Sequence, residues 1–247
     1  MNYSQVKIKN IPFGVYTRIK RYADYYFNSL FNTKWSKPDL KATIIGEKYG
    51  GYIIPSFLNE KSVVYSFGIG EDLTFDLELI RQFNCKVVGF DPTPKSIEWT
   101  KNQDLPDKFQ FLQFGLSAKS GKQTFFLPKN PNTVSASLTK DLGGEKIECD
   151  FLSFDDILKK LGHSYVDLVK MDVEGAEYGI FNDWISKKYT PPFGQIWVEF
   201  HPSRSGSTNF KTALLINKLK DISLIPAKSA VIYRTNHYLL INTKYIF

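Results

Sequence analysis

The chain has 247 residues, 43% hydrophobic and 23% charged, enough to bury one full-sized core as a single catalytic-size domain with a small appendage. Its start, MNYSQVKIKN, has no apolar signal region, and no oily run reaches the roughly 20 residues of a membrane span. Cys85 and Cys149 lack C-x-x-C spacing, so a disulfide framework or zinc cage is not expected and a soluble chain in a reducing cytoplasm is. A net charge of +7 and a pI near 9.1 raise the question of an anionic partner. The lysines are scattered, however, and the densest group, Arg18, Lys20, Arg21, Lys34 and Lys37, falls on or just after a helix expected over 14–33. That helix carries Val15, Ile19, Tyr22, Tyr26 and Leu30 at helical spacing, an apolar stripe to pack on the core with a solvated basic face.

From Trp35 to Glu60 the chain is broken by prolines and glycines, which predicts turns and a small hairpin through Thr43–Ile45 and Tyr52–Ile54. Residues 1–60 thus read as a helical and hairpin extension, and 61–247 as the main domain. "SVVYSFGIGEDLTFDLELIRQFN" is a β-rich run, a glycine turn and a helix with Leu73, Leu77 and Ile80 on one stripe. "KVVGFDPTPKSIEW" repeats that order, with a strand at Val87–Phe90 and a helix from near Lys95. "FQFLQFGLS" predicts a third strand, "KQTFFLP" an excursion, and Ser153 with Asp156 the capping box of the next helix. There follow a strand at Val166–Met171, a helix from about Gly175 to Ile185, a strand at Gln195–Phe200 and a helix around Phe210–Leu219. "SAVIYRTNHYLLINT" closes the chain as two β-rich runs joined by a polar turn. Alternating strands and helices predict a Rossmann-like, doubly wound, seven-stranded and mostly parallel α/β sheet, its last strand antiparallel through the terminal hairpin.

Ligands of such sheets bind beyond the carboxyl ends of the strands. The loops there supply Gly68, Gly70 and Glu71 after the first strand, Asp91 and Pro92 after the second, Gly115 after the third and Asp172 after the fourth. These are the candidate cofactor-binding residues. Asp91 lies 21 residues past Gly70, where a carboxylate can accept both hydroxyls of a ribose. The third glycine of a dinucleotide fingerprint is replaced by Leu73, and Glu71 and Asp72 would repel a pyrophosphate but can hold an amino-acid ammonium. S-adenosylmethionine therefore fits the turn better than NAD. An NAD-dependent oxidoreductase is the alternative on the same sheet. A nucleic-acid methyltransferase would use the basic charge, yet no N-P-P-Y-type segment follows the fourth strand. A non-catalytic binding module sits poorly with so many polar groups on one edge.

"SFGIGEDLTFD", "VVGFDPTP", "FDDIL" and above all "LVKMDVEGAE" resemble the FkbM-type S-adenosylmethionine-dependent methyltransferases, whose hallmark is a K-x-D-x-E-G-x-E segment ending the fourth strand. The resemblance covers about residues 40–242. The chain departs from the family at Tyr49, an aspartate in relatives, and at the glycine turn, "SFGIGED" in place of DxGAxxG. It implies the class I methyltransferase fold, S-adenosylmethionine as cofactor, and a place for Asp172 facing the reacting sulfonium, where it orients a hydroxyl, binds a divalent cation or holds the methionine ammonium. Whether a metal is used stays open. His201, Asp172 and Glu174 are the candidate catalytic residues. His201 is placed to serve as general base with Glu199 to orient it, and Glu177 in the first helical turn favours the dipole. The expected reaction is direct in-line O-methylation of a sugar, glycan or related polyhydroxylated small molecule, with no nucleic-acid partner and an oligomeric state that the sequence does not define.

Overall fold

The structure, a computed structural model, describes residues 40–46, 50–130, 135–227 and 236–246. The helix expected over 14–33 with its basic group, Tyr49, and the first of the two terminal β-rich runs, 229–233, lie outside them.

A two-stranded hairpin comes first, β1 (Thr43–Ile45) and β2 (Gly51–Ile53). The main domain then alternates β3 (Val63–Phe67), α1 (Thr74–Phe83), β4 (Lys86–Phe90), α2 (Pro94–Lys101) and β5 (Phe109–Leu112). A separate three-stranded sheet is inserted here from β6 (Gly115–Leu116), β7 (Gly121–Pro128) and β8 (Gly143–Leu152). The alternation resumes with α3 (Phe154–Leu161), β9 (Val166–Met171), α4 (Glu177–Ser186), β10 (Phe193–Glu199) and α5 (Asn209–Lys218). It ends with β11 (Leu224–Pro226), β12 (His237–Asn242) and the short α6 (Thr243–Ile246).

The seven-stranded sheet has the order β11-β12-β10-β9-β3-β4-β5. Every pair from β10 to β5 is parallel, and β12 alone runs against its neighbours β10 and β11. The expected fold class is thus present, although the partner of β12 is Leu224–Pro226, upstream of the run that reads as β-rich in the sequence.

The central strands are buried on both faces because successive side chains point to opposite sides. Tyr65, Val169 and Ile196 join the cluster with Phe154 and Ile157 of α3, Phe181 and Trp184 of α4, and Leu215 of α5. Their neighbours Val64 and Leu168 join the opposite cluster with Phe75 and Leu79 of α1. Local chemistry sets the helix ends. Ser153 accepts the Asp156 N–H at 3.3 Å to start α3, Gly162 at φ 70° ends it, and Thr93 with Pro94 behind it starts α2. The hairpin is tied to the sheet by Gln195, whose side chain accepts the Ile54 N–H at 2.7 Å and donates to the Ile54 carbonyl at 3.2 Å. Among the described residues, no helix is long and apolar enough to cross a membrane.

"FQFLQFGLS" is divided between two sheets, and β6 pairs with β8 instead of continuing β5. A Cβ at Gly115 would lie 2.3 Å from the Phe151 ring, so this glycine is what lets β6 lie against β8.

Candidate active site

The carboxyl ends of β3, β4 and β9 open on one cavity enclosing about 940 Å³, solvent at its mouth included. Gly68 leaves β3 at φ 82°, and an added Cβ would lie 1.8 Å from the Asp172 carbonyl oxygen. Glycine therefore permits the exits of β3 and β9 to touch. Two residues on, the Gly70 N–H donates to Asp91 Oδ2 at 2.9 Å. The other oxygen of Asp91 accepts the Thr93 N–H at 2.8 Å and its hydroxyl at 2.6 Å. A carboxylate offers about four acceptor positions; three are taken, so the buried Asp91 keeps one on Oδ2 for a ligand hydroxyl and not the pair expected for two.

The other expected cofactor residues also border this cavity, in varied roles. Glu71 pairs with Lys95 at 2.9 Å, which neutralises part of the charge expected to hold an ammonium. Pro92 offers its carbonyl to the Cys149 thiol at 3.5 Å. Gly115 makes room for Phe151. The apolar floor is Phe67 and Phe90, stacked with ring centres 4.5 Å apart, and Phe125 of β7 with Phe151 of β8 forms the facing wall.

The acidic rim follows from a tight turn. Asp172 donates its N–H to the Phe67 carbonyl at 3.1 Å, then Glu174 at φ 50° and Gly175 at φ 109° reverse the chain. The reversal brings Glu177, fully buried, back under the turn. Its Oε1 accepts the N–H groups of Val173 and Gly175, both at 3.2 Å, and lies 2.9 Å from His201 Nδ1. With Nδ1 held as donor to a carboxylate, Nε2 faces outward. It lies 3.6 Å from Asp172 Oδ1, 3.8 Å from Glu174 Oε2 and 3.8 Å from Glu199 Oε1. Arg204 Nε approaches Glu174 Oε2 at 3.3 Å, His237 Nε2 approaches Glu199 Oε1 at 3.2 Å, and the buried Lys170 donates to the Gly68 carbonyl at 3.3 Å.

Burial by itself would depress the His201 imidazole. The hydrogen bond and charge of Glu177, joined by the charges of Asp172 and Glu174, outweigh it and push the group up to about 9. Burial raises Asp172 against the pull of Lys170. Burial also works against ionised Glu199, but the hydrogen bond and charge of His237 hold it below the ordinary range.

His201, Asp172 and Glu174 therefore do meet, and the carboxylates around the imidazole favour its charged form. Glu177, read in the sequence as a dipole-favouring residue, is what orients the ring, while Glu199 is turned toward His237. Glu174 precedes α4, which Glu177 opens. Arg204, His237 and the walls from β7 and β8 come from distant segments and carry no local signal in the sequence. The E-G-x-E spacing, with glycine after the left-handed Glu174, was the one local sign of the turn.

A mostly parallel sheet with one reversed strand, a glycine turn bonded to an acid on the next strand, and an acidic fourth-strand exit define a Rossmann-like domain of the methyltransferase type. The family model of the methyltransferase FkbM domain matches residues 62–221, well over half of the chain, and the chain belongs to that family. Over 144 residues it is 24% identical to the Homo sapiens protein called probable methyltransferase-like protein 24, covering 58% of this chain and 33% of that one. The chain thus spans about a third of that relative's length. Among solved structures it is similar to the Methanococcus jannaschii fibrillarin pre-rRNA processing protein, with a TM-score of 0.45, 9% identity, and 83% and 84% of the two chains covered. It is also similar to a geranyl diphosphate methyltransferase in complex with GPP and sinefungin, with a TM-score of 0.35, 9% identity, and 74% and 72% covered. At these scores neither likeness carries an argument.

Proposed function

We propose that the protein is an S-adenosylmethionine-dependent O-methyltransferase acting on a hydroxyl of a sugar, glycan or related polyhydroxylated small molecule. The observation that carries this reading is that the Gly68–Asp91 turn and the Asp172–Glu174 rim border one cavity. The residues present fit the cofactor: Asp91 Oδ2 has an acceptor position for a ribose hydroxyl, the backbone at Gly68 has no Cβ to fill the turn, and the Phe67–Phe90 floor is apolar. Bound there, the cofactor supplies an electrophilic methyl group. Gly68 and Gly70 bring backbone close to it, while Asp172 and Glu174, on the same cavity, orient the acceptor hydroxyl and receive its proton. His201, held by Glu177, lies beside both carboxylates. Burial favours the protonated form of Asp172 and so makes its carboxylate the better base. A polyhydroxylated acceptor suits a rim with several carboxylate acceptors, and a reducing cytoplasmic setting suits Cys85 and Cys149, both free.

Calorimetry with S-adenosylhomocysteine, sinefungin and NAD tests the cofactor. Both adenosyl compounds should bind, and Asp91→Ala should weaken them at least about tenfold, equivalent to about 1.4 kcal/mol. Binding of NAD with no binding of either adenosyl compound would overturn the reading in favour of an oxidoreductase. Transfer of labelled methyl to RNA, and to no polyol or glycan, would overturn the acceptor class.

A further inference from the structure

We propose that His201 Nε2, Asp172 Oδ1 and Glu199 Oε1 form a binding site for one divalent first-row transition-metal cation, held where Asp172 borders the cavity. Among the described residues these three are the group whose ligand atoms all lie within 4.8 Å of one another. The two distances from Nε2, 3.6 and 3.8 Å, suit a shared cation. Ligand bonds of about 2.0–2.2 Å place donor atoms roughly 3.0–3.8 Å apart at angles from perpendicular to a little beyond trigonal.

A second observation comes from behind the ring. Metal-binding histidines characteristically donate their other ring N–H to a carboxylate that fixes tautomer and direction. Glu177, with no exposed surface, supplies that acceptor at 2.9 Å, and the N–H groups of Val173 and Gly175 immobilise the same oxygen. The arrangement leaves Nε2 aimed at the carboxylates, where a bound cation takes the place of its proton. Glu199 is steadied in turn by His237 at 3.2 Å. Glu174 is engaged by Arg204, so it lines the cavity as a paired group instead of completing the ligand set.

The donor set selects the ion. One imidazole nitrogen with two carboxylates suits manganese, cobalt or zinc, whereas magnesium and calcium favour oxygen donors throughout. Because Asp172 also lines the cavity, a cation on it would polarise an acceptor oxygen. That role rests on the methyl-transfer reading; the binding itself does not.

The full chain, freed of metal by chelator and dialysis, should be titrated with Mn²⁺ and free Mn²⁺ followed by electron paramagnetic resonance. Co²⁺ absorption serves as a second probe, and S-adenosylhomocysteine affinity is measured in parallel. One equivalent of Mn²⁺ should bind, and His201→Gln and Glu199→Gln should each weaken it at least tenfold while circular dichroism stays unchanged. Glu78→Gln, remote on α1, should bind as wild type does. Absence of saturable Mn²⁺ and Co²⁺ binding, or binding unaltered in folded His201→Gln and Glu199→Gln, would overturn the site. Failure of S-adenosylhomocysteine to bind a protein that holds one Mn²⁺ would overturn the methyl-transfer reading and leave the metal site intact.

Discussion

A methyl group added at Gly68 has nowhere to go, because the atom 1.8 Å away is the backbone oxygen of Asp172, just past β9, which cannot rotate aside. Gly68→Ala should therefore part the exits of β3 and β9. We expect a stability loss of about 2 kcal/mol or more in urea titration, and at least a tenfold loss of S-adenosylhomocysteine affinity by calorimetry. Unaltered affinity would show that the strand exits need not touch to form the cofactor pocket. Glu177 is the other residue on which local geometry turns. One of its oxygens serves two backbone N–H groups and an imidazole, so Glu177→Ala leaves three donors without an acceptor, one of them on the buried Gly175. At about 1–3 kcal/mol for an unsatisfied buried group, with partial relaxation, the variant should lose roughly 2–4 kcal/mol. Glu177→Gln keeps an acceptor oxygen and should recover most of that loss. Equal destabilisation by both variants would mean that charge, and not acceptor geometry, is what the turn requires.

The hairpin of β1 and β2 is fastened to β10 through Gln195, whose amide satisfies both polar groups of Ile54 from within the core. Gln195→Leu keeps the bulk but orphans the buried Ile54 N–H, while the Ile54 carbonyl keeps the Phe57 N–H at 3.2 Å, so chemical denaturation should report a loss of about 1–3 kcal/mol. A loss below about 0.5 kcal/mol would imply that the hairpin is held by its apolar contacts alone. Elements of the main sheet were legible in the sequence because their signals are local. Val166–Met171 is a β-rich run with Val166, Leu168, Val169 and Met171 apolar, and Ser153 announces the start of α3 by its spacing to Asp156. The division of "FQFLQFGLS" was not legible, because what separates β5 from β6 is a collision that Gly115 avoids with Phe151, a residue far along the chain. Asp91 and Asp172 could be placed from their strand ends for the same local reason. The partners of Glu177 could not, since His201 reaches it only after α4 and β10 have folded back.

For the molecule as a whole, Asp76 makes stability depend on pH. Burial, opposed by the charge of Lys170, pushes this carboxyl up to about 6 from 3.8, and its Oδ1 has no hydrogen-bond partner. The folded state thus binds the proton more tightly than the unfolded chain. The stability tied to it is full below about pH 4 and is lost as pH rises through about 6. Two units of difference correspond to about 3 kcal/mol, so Asp76→Asn, which cannot ionise, should raise stability by up to that order at pH 7.5 and change it little near pH 4. Urea titrations at the two pH values measure the difference, and an equal effect at both would contradict the assignment. The place of β12 has a consequence in time. It is the last strand of the sheet to be synthesised, yet it lies between β10 and β11, so during translation both neighbours wait with facing edges unpaired. The turn holding Gly68 and Asp91 belongs to segments finished long before. Glu199 meets His237 only when that final strand pairs with β10.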